Sequence, residues 1–317
     1  MDQATLALLK WLAFALVGGT FIALVTSRMA DGSRLGRIGR AAMARFRMIW
    51  AMCFVMAAAI LTGRSGSVIV FGLSSFLLLR EFMTITPTRR ADHPALFWVF
   101  FVILPLQYFA LYIGWYGLFI MLIPVYAFLL IPMRILRADD PTHFMERTAK
   151  IQWGMMLCIY SISHTPALIK LAPAQSPYEG LRLLLFLTTI VQVHDLIQDV
   201  MTANGYGRKI FVKLAAGESF ESFTLAVVAS ALAGVAFAPV VPFSRLQAAA
   251  MGMAIAITAF FGRLCWVAIQ QDRGRKGVVV VRARPLMTER MISLCFAAPL
   301  FFHLTRFFFY GGDPAQF

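Results

Sequence analysis

The densest set of side chains able to do chemistry lies in VQVHDLIQDVMTANGYGRK, residues 191–209. His194 and Gln198 are four residues apart, as are Asp195 and Asp199, so on a helix each pair shares one face. A carboxylate near the end of an apolar helix needs a cation, a cavity or water. Asp195 is therefore a candidate for metal ligation or proton transfer, and equally for a solvated helix end. The segment closes on GYGRK with Arg208 and Lys209. Glycine turns beside cations can hold phosphate, but the full phosphate-loop pattern is absent. LAAGESFESF follows, residues 214–223, with Glu218 and Glu221. Those carboxylates could act on a ligand; Ser219 with Ser222, or the two acids, would equally cap the next helix.

A second set lies in FGRLCWVAIQQDRGRKGVVVVRARPLMTERMISLCFAAPLFFHLTRFFF, residues 261–309. Two apolar runs enclose a loop carrying Arg273, Arg275, Lys276, Arg282 and Arg284, and Arg290 follows within a turn or two. Guanidinium groups bind phosphate through paired hydrogen bonds. A cationic loop between membrane-length runs suits anionic lipid head groups. Glu289 opens the last run as a cap or a metal ligand. Arg263 stands about a turn and a half inside the preceding run, where it requires a carboxylate, carbonyls or water, or must snorkel.

The elements that must position these groups are membrane helices. The chain has 317 residues, of which 60% are hydrophobic, against about 45–50% in soluble domains. The excess falls in continuous runs of about 18–25 residues, the length that crosses ~30 Å of hydrocarbon. Alternating short strands, the mark of a membrane barrel, do not occur. A soluble core could not bury so many helices that are apolar all round. The spacing predicts an all-α polytopic membrane protein with ten spans, near 4–26, 47–63, 66–83, 95–112, 115–133, 151–171, 180–200, 220–241, 246–269 and 290–310, and a cytoplasm-facing polar cavity among the later helices. Pro105, Pro124 and Pro132 fall in or near the fourth and fifth spans, where they could kink them. The first run carries Lys10 and no small-residue cleavage site follows it, so it reads as a retained span.

The formal charge is +14, from 29 Lys and Arg against 15 Asp and Glu. Such a balance can mark nucleic-acid binding. Here most basic residues sit in alternate links, such as Arg28 to Arg47, Arg89 with Arg90, and Arg134 to Lys150. Membrane orientation accounts for that pattern, with the basic side cytoplasmic, both termini outward and no nucleic-acid partner. The basic link over 27–46 reads mainly as an orientation signal, or else as a surface-lying amphipathic segment. Cys53, Cys158, Cys265 and Cys295 lie inside apolar runs without CxxC spacing and read as packing residues.

From REFMTITPTRR at Arg80 through ERTAKIQWG at Glu146, His194–Asp195 and the final ERMISLCFAAPLFFHLTRFFF, the chain resembles the phosphatidate cytidylyltransferase (CDP-diacylglycerol synthase) family, in a bacterial branch. The resemblance implies an inner-membrane, multi-pass enzyme that joins CTP to phosphatidate with release of pyrophosphate, using Mg2+ held by acids at the cytoplasmic side. It also implies a homodimer. Residues 80–317 would form the family domain and 1–79 an N-terminal bundle.

Several family positions are altered. The serine–aspartate pair becomes His194–Asp195, which keeps the acid. In the Ser-Pro-x-Lys-Thr-x-Glu-Gly stretch Glu221 matches, but Glu218 replaces the lysine and reverses its charge. The Gly-Asp pair becomes Gly262–Arg263, and Lys-Asp becomes Lys276–Gly277. Glu289–Arg290 stands for Asp-Arg, with Ile292 at the last acid. A fixed positive charge at residue 263 cannot ligate a cation; it could instead take the ion's place and pair with Glu289 or Asp195.

Two functions follow from these residues. One is a divergent enzyme on phosphatidate or another lipid phosphate, with impaired metal-dependent transfer. Its catalytic candidates are Asp195, Glu221 and Glu289, and its phosphate-binding candidates are Lys276, Arg284, Arg290, Arg208 and Lys209. The other is a non-catalytic relative that binds anionic lipid or partners an enzyme of phospholipid synthesis. A transporter is a third reading, since intramembrane charge and broken helices also mark translocation paths.

Overall fold

A computed structural model of the chain describes residues 3–30, 33–61, 63–86, 88–171, 178–205, 207–272 and 287–311. It is helical nearly throughout. Three long helices come first: α1 (Gln3–Ser27), α2 (Arg34–Leu61) and α3 (Gly63–Ile85). Three composite rods follow, each interrupted by a π-helical stretch. The first is α4 (His93–Trp98), Val99–Ile103 and α5 (Leu104–Ile113). The second is α6 (Tyr116–Met121), Leu122–Ala127 and α7 (Phe128–Leu136). The third is α8 (Phe144–Met155), Met156–Ser161 and α9 (Ile162–Lys170). Then come α10 (Glu179–Asn204), an antiparallel hairpin of β1 (Lys209–Phe211) and β2 (Ala215–Ser219), α11 (Phe220–Phe237), α12 (Arg245–Asp272) and α13 (Met287–Phe309).

Among the described residues nine helices are long and apolar enough to cross a bilayer. The remaining expected span, 151–171, falls within the third rod, which carries Gln152, Ser163, His164 and Thr165. Its polarity is tolerable because it is not a lipid-facing rod. It packs among α3, α5, α10 and α13, and Ile151, Cys158, Ile162, His164 and Leu168 are all fully buried. At the other extreme is α1, whose Trp11 and Phe14 are 71% and 73% exposed, as suits a helix at the lipid boundary.

The π stretches have a local cause. A proline lacks the N–H of the helical ladder and its ring crowds the carbonyl four residues back, so a wider turn relieves the clash. Pro105 and Pro166 follow two of the stretches and Pro124 lies within the third. Ser161 Oγ donates to Met156 O at 2.8 Å, covering a carbonyl inside its stretch. Pro132 lies inside α7. Gln107 Nε2 donates to Phe119 O at 2.9 Å and to Ser163 Oγ at 3.2 Å, which ties the three rods together.

The link over 27–46 is shorter than expected. It is helical from Arg34 onward, continuous with the second span, and Arg45 within it is buried. Helix α2 packs along α10, and α3 along α5 and α9, so the first helices join the main body. The cysteines are free thiols, two of them buried, in accord with a packing role.

Helices α11 and α12 approach closely through glycine. A Cβ on Gly252 would meet Ser230 O at 2.5 Å, and one on Gly234 would meet Ala248 O at 2.3 Å. Small residues let membrane helices touch backbone to backbone. Gly252→Val should lower stability by about 1–3 kcal/mol through overpacking, read as a lower thermal midpoint in detergent. Gly18→Val, on an open face of α1 with nothing within 4 Å, should leave the midpoint unchanged.

Candidate functional site: a buried carboxylate–guanidinium centre

Helix α10 carries the site on one face. His194, Asp195 and Gln198 are buried there, with Asp199 beside them. Gly205 ends the helix in the left-handed region at φ 70°, donating to Thr202 O; the glycine of the GYGRK turn is thus a helix terminator. Gly207 is also left-handed, at φ 109°, and a Cβ on it would collide with Glu221 Oε2. The hairpin then leads into α11, whose start is fixed reciprocally: Ser222 N donates to Ser219 Oγ at 3.2 Å and Ser219 N to Ser222 Oγ at 3.0 Å. That capping box sets the direction of the chain immediately before it, and Glu218 turns inward there, 5% exposed.

Two arginines from distant helices enter this acidic face. Arg45 of α2 donates from Nε to Asp199 Oδ2 at 2.7 Å and from Nη1 to Asp195 Oδ2 at 3.1 Å, and its Nη2 lies 2.6 Å from Asp199 Oδ2. Arg263 of α12 places Nη2 2.8 Å from Asp199 Oδ1 and 3.5 Å from Glu218 Oε1, with Nη1 3.5 Å from Asp195 Oδ1. The remaining lone pairs of Asp195 meet Ser293 Oγ of α13 at 2.8 Å and lie 3.2 Å from His194 Nδ1. Glu218 Oε2 accepts from Gln198 Nε2 and, at 3.5 Å, from Thr202 Oγ1. Each guanidinium bridges at least two carboxylates, a geometry that its planar, rigid fork of donors favours.

With both arginines charged and the three carboxylates ionised, the centre carries one net negative charge. The carboxylate oxygens face guanidinium N–H groups, and among the described residues no three His, Cys, Asp or Glu side chains are grouped to hold a metal ion. Three buried polar atoms of the centre have no protein hydrogen bond: His194 Nε2, Gln198 Oε1 and Arg263 Nε.

The residues expected from the sequence divide accordingly. Asp195 and Arg263 meet directly. Glu289 accepts from Gln270 Nε2 of α12 at 2.8 Å, and the acids paired with Arg263 are Asp195, Asp199 and Glu218. Glu221 accepts from the backbone N–H of Arg208 at 2.8 Å, and Lys209 Nζ donates to Gly217 O at 3.2 Å, so all three stabilise the hairpin region. Lys276 and Arg284, with the loop that carries them, lie outside the described residues, as does the side chain of Arg290. Arg45 was missed. Its sequence neighbours Arg34, Arg37, Arg40 and Arg47 make it look like one more orientation charge; only its position a few turns into an unbroken helix distinguishes it.

Removing one partner of a buried ion pair leaves an uncompensated charge. Arg45→Gln should therefore destabilise the protein by about 3–5 kcal/mol, measured by thermal or denaturant unfolding in detergent. Arg47→Gln, next to the same helix turn, should have a far smaller effect.

Comparison with known proteins adds the family. The cytidylyltransferase family model matches residues 43–308, beginning inside α2 just before Arg45 and ending in α13. The chain is similar to the uncharacterized protein YnbB of Escherichia coli (strain K12), with 28% identity over 265 residues, covering 83% of this chain and 87% of that protein. No solved structure matches. A match across all the helices that build the centre means that the chain belongs to the cytidylyltransferase family.

Proposed function

We propose that this chain is a membrane protein of phospholipid metabolism in which magnesium-dependent transfer from CTP has been lost, leaving a role in binding anionic lipid or a partner enzyme. The observation that carries this reading is the position of Arg263, whose guanidinium lies among Asp195, Asp199 and Glu218. A divalent ion placed about 4 Å from that charge would be repelled by roughly 8 kcal/mol at an effective dielectric near 20. Arg45, on the opposite side of the same carboxylates, adds a second repulsion. The acids do not fit magnesium while both arginines occupy them.

The altered family positions form a pair. The family pattern has a lysine at 218 and an aspartate at 263; here Glu218 and Arg263 stand 3.5 Å apart. The polarity is exchanged and the local charge sum is kept. Here the pair forms a cross-link between β2 and α12, with no acid at the expected metal position. A centre that has traded an exchangeable cation for a fixed guanidinium suits a scaffold more than a transferase, because a guanidinium neither ligates phosphate oxygens as a metal does nor dissociates with product.

The test is an assay of purified protein in phosphatidate-containing micelles with labelled CTP. Wild type should form no CDP-diacylglycerol above blank with or without magnesium, and magnesium-dependent product would overturn the reading. The double substitution Glu218→Lys with Arg263→Asp restores the family polarity. It should gain magnesium-dependent CTP binding by calorimetry if the arginine stands at the ion position, and failure to bind in a folded double variant counts against that assignment.

A further inference from the structure

A second cluster of charge lies on elements that contribute no side chain to the centre above. The segment entering α4 and the segment entering α8 enclose a cleft of about 340 Å³. Its floor is a buried pair. Arg147 Nε donates to Asp92 Oδ1 at 2.8 Å, and both residues are almost inaccessible. Arg147 Nη1 also donates to Asp140 O at 2.7 Å and Thr142 O at 3.2 Å. This guanidinium is consequently rigid, and Asp92 is fully neutralised.

The mouth of the cleft is different. Lys150 pairs with Glu146 at 2.7 Å, His143 Nδ1 lies 3.5 Å from Glu146, and Arg89 lies 3.4 Å from Asp140. Glu146 is about half exposed there, as is Arg89. Exposed ion pairs of this kind contribute about 0–1 kcal/mol and exchange easily. Arg89 and His143 are thus donors held by weak, replaceable partners, and Lys150, 14% exposed, stands beside them paired with the more open Glu146. Exposed apolar side chains stand alongside in sequence: Phe97 is one turn beyond the cleft on α4, and Met145, 78% exposed, adjoins Glu146. Cations next to exposed apolar residues at the start of membrane rods mark the head-group level of the bilayer.

We propose that this cleft binds a phosphate group, presented by the head of an anionic phospholipid. A phosphate offers several acceptor oxygens and up to two negative charges, so it can take hydrogen bonds from Arg89, Lys150 and His143 together, where Glu146 takes only some of them. Arg147, whose charge is already matched by Asp92 and Asp140, fixes the floor of the cleft without moving. The site is separate from the Arg263 centre and does not depend on whether that centre binds metal.

The experiment uses purified full-length protein in detergent and three probes: short-chain phosphatidate, short-chain phosphatidylcholine and inorganic phosphate. Wild type should bind the phosphatidate, seen by calorimetry and by a raised thermal midpoint, and should not respond to the phosphatidylcholine. The double variant Arg89→Gln with Lys150→Gln should lose affinity at least ~10-fold, the equivalent of one charge-assisted contact. Arg28→Gln with Arg47→Gln, which removes as much charge elsewhere on the same side, should retain it. Inorganic phosphate that competes at similar concentration would support the phosphate site and assign it to soluble phosphates; failure of inorganic phosphate to compete would support the lipid source. Equal phosphatidate affinity in wild type and the Arg89/Lys150 variant, or no binding of either phosphate probe to wild type, would overturn the proposal. Arg263→Asp should leave this binding unchanged, so the result is independent of the transfer assay.

Discussion

A carboxylate withdrawn from water among membrane helices is tolerable only beside positive charge, and that requirement at Asp195 governs how this protein is assembled. Asp195 is 1% exposed. Its compensation comes from Arg45 on α2 and Arg263 on α12, with Ser293 on α13 completing its hydrogen bonds. Four helices, from α2 near the start of the chain to α13 near its end, must therefore meet at one level of the membrane. Apolar packing between transmembrane helices has little directional preference, because lipid is as good a solvent as a neighbouring helix for leucine. Directional ion pairs supply the register that apolar contact cannot.

The same network joins these helices through ion pairs between side chains. Here two guanidiniums satisfy the acids through N–H donors. Their charge is permanent and their geometry is fixed by covalent bonds, so the helices remain joined without any bound ion. Glu218 and Arg263 lie 3.5 Å apart and carry opposite charges, which limits the electrostatic cost of holding both inside a low-dielectric environment.

Around this network the rods adapt to their prolines and to their depth. The π stretches widen the helix where a proline would otherwise clash, and side chains such as Ser161 and Gln107 take up freed or crowded carbonyls. The third rod is surrounded by other helices and tolerates His164 and its polar neighbours, whereas α1 exposes large apolar side chains such as Trp11, Phe14 and Phe21. Polarity along each rod thus follows its neighbours more than its length.

Much of this was legible in the residues themselves. The apolar runs located the membrane rods because crossing hydrocarbon demands a minimum length of satisfied backbone. The four-residue spacing put Asp195 and Asp199 on one face, since helical periodicity is a local property. The Ser219–Ser222 cap was readable for the same reason. Arg263 could be recognised as needing a partner, because its depth in an apolar run follows from counting turns. Which acids would answer it was decided only by tertiary packing: Asp199 and Glu218 joined Asp195, while Glu289 took Gln270. Arg45 became part of the centre only when α2 was laid against α10, 150 residues away in the chain. Periodicity and length act within a few turns and can be read along a sequence; the partner of a buried charge depends on which helix faces which, and that is settled by the packing of the whole bundle.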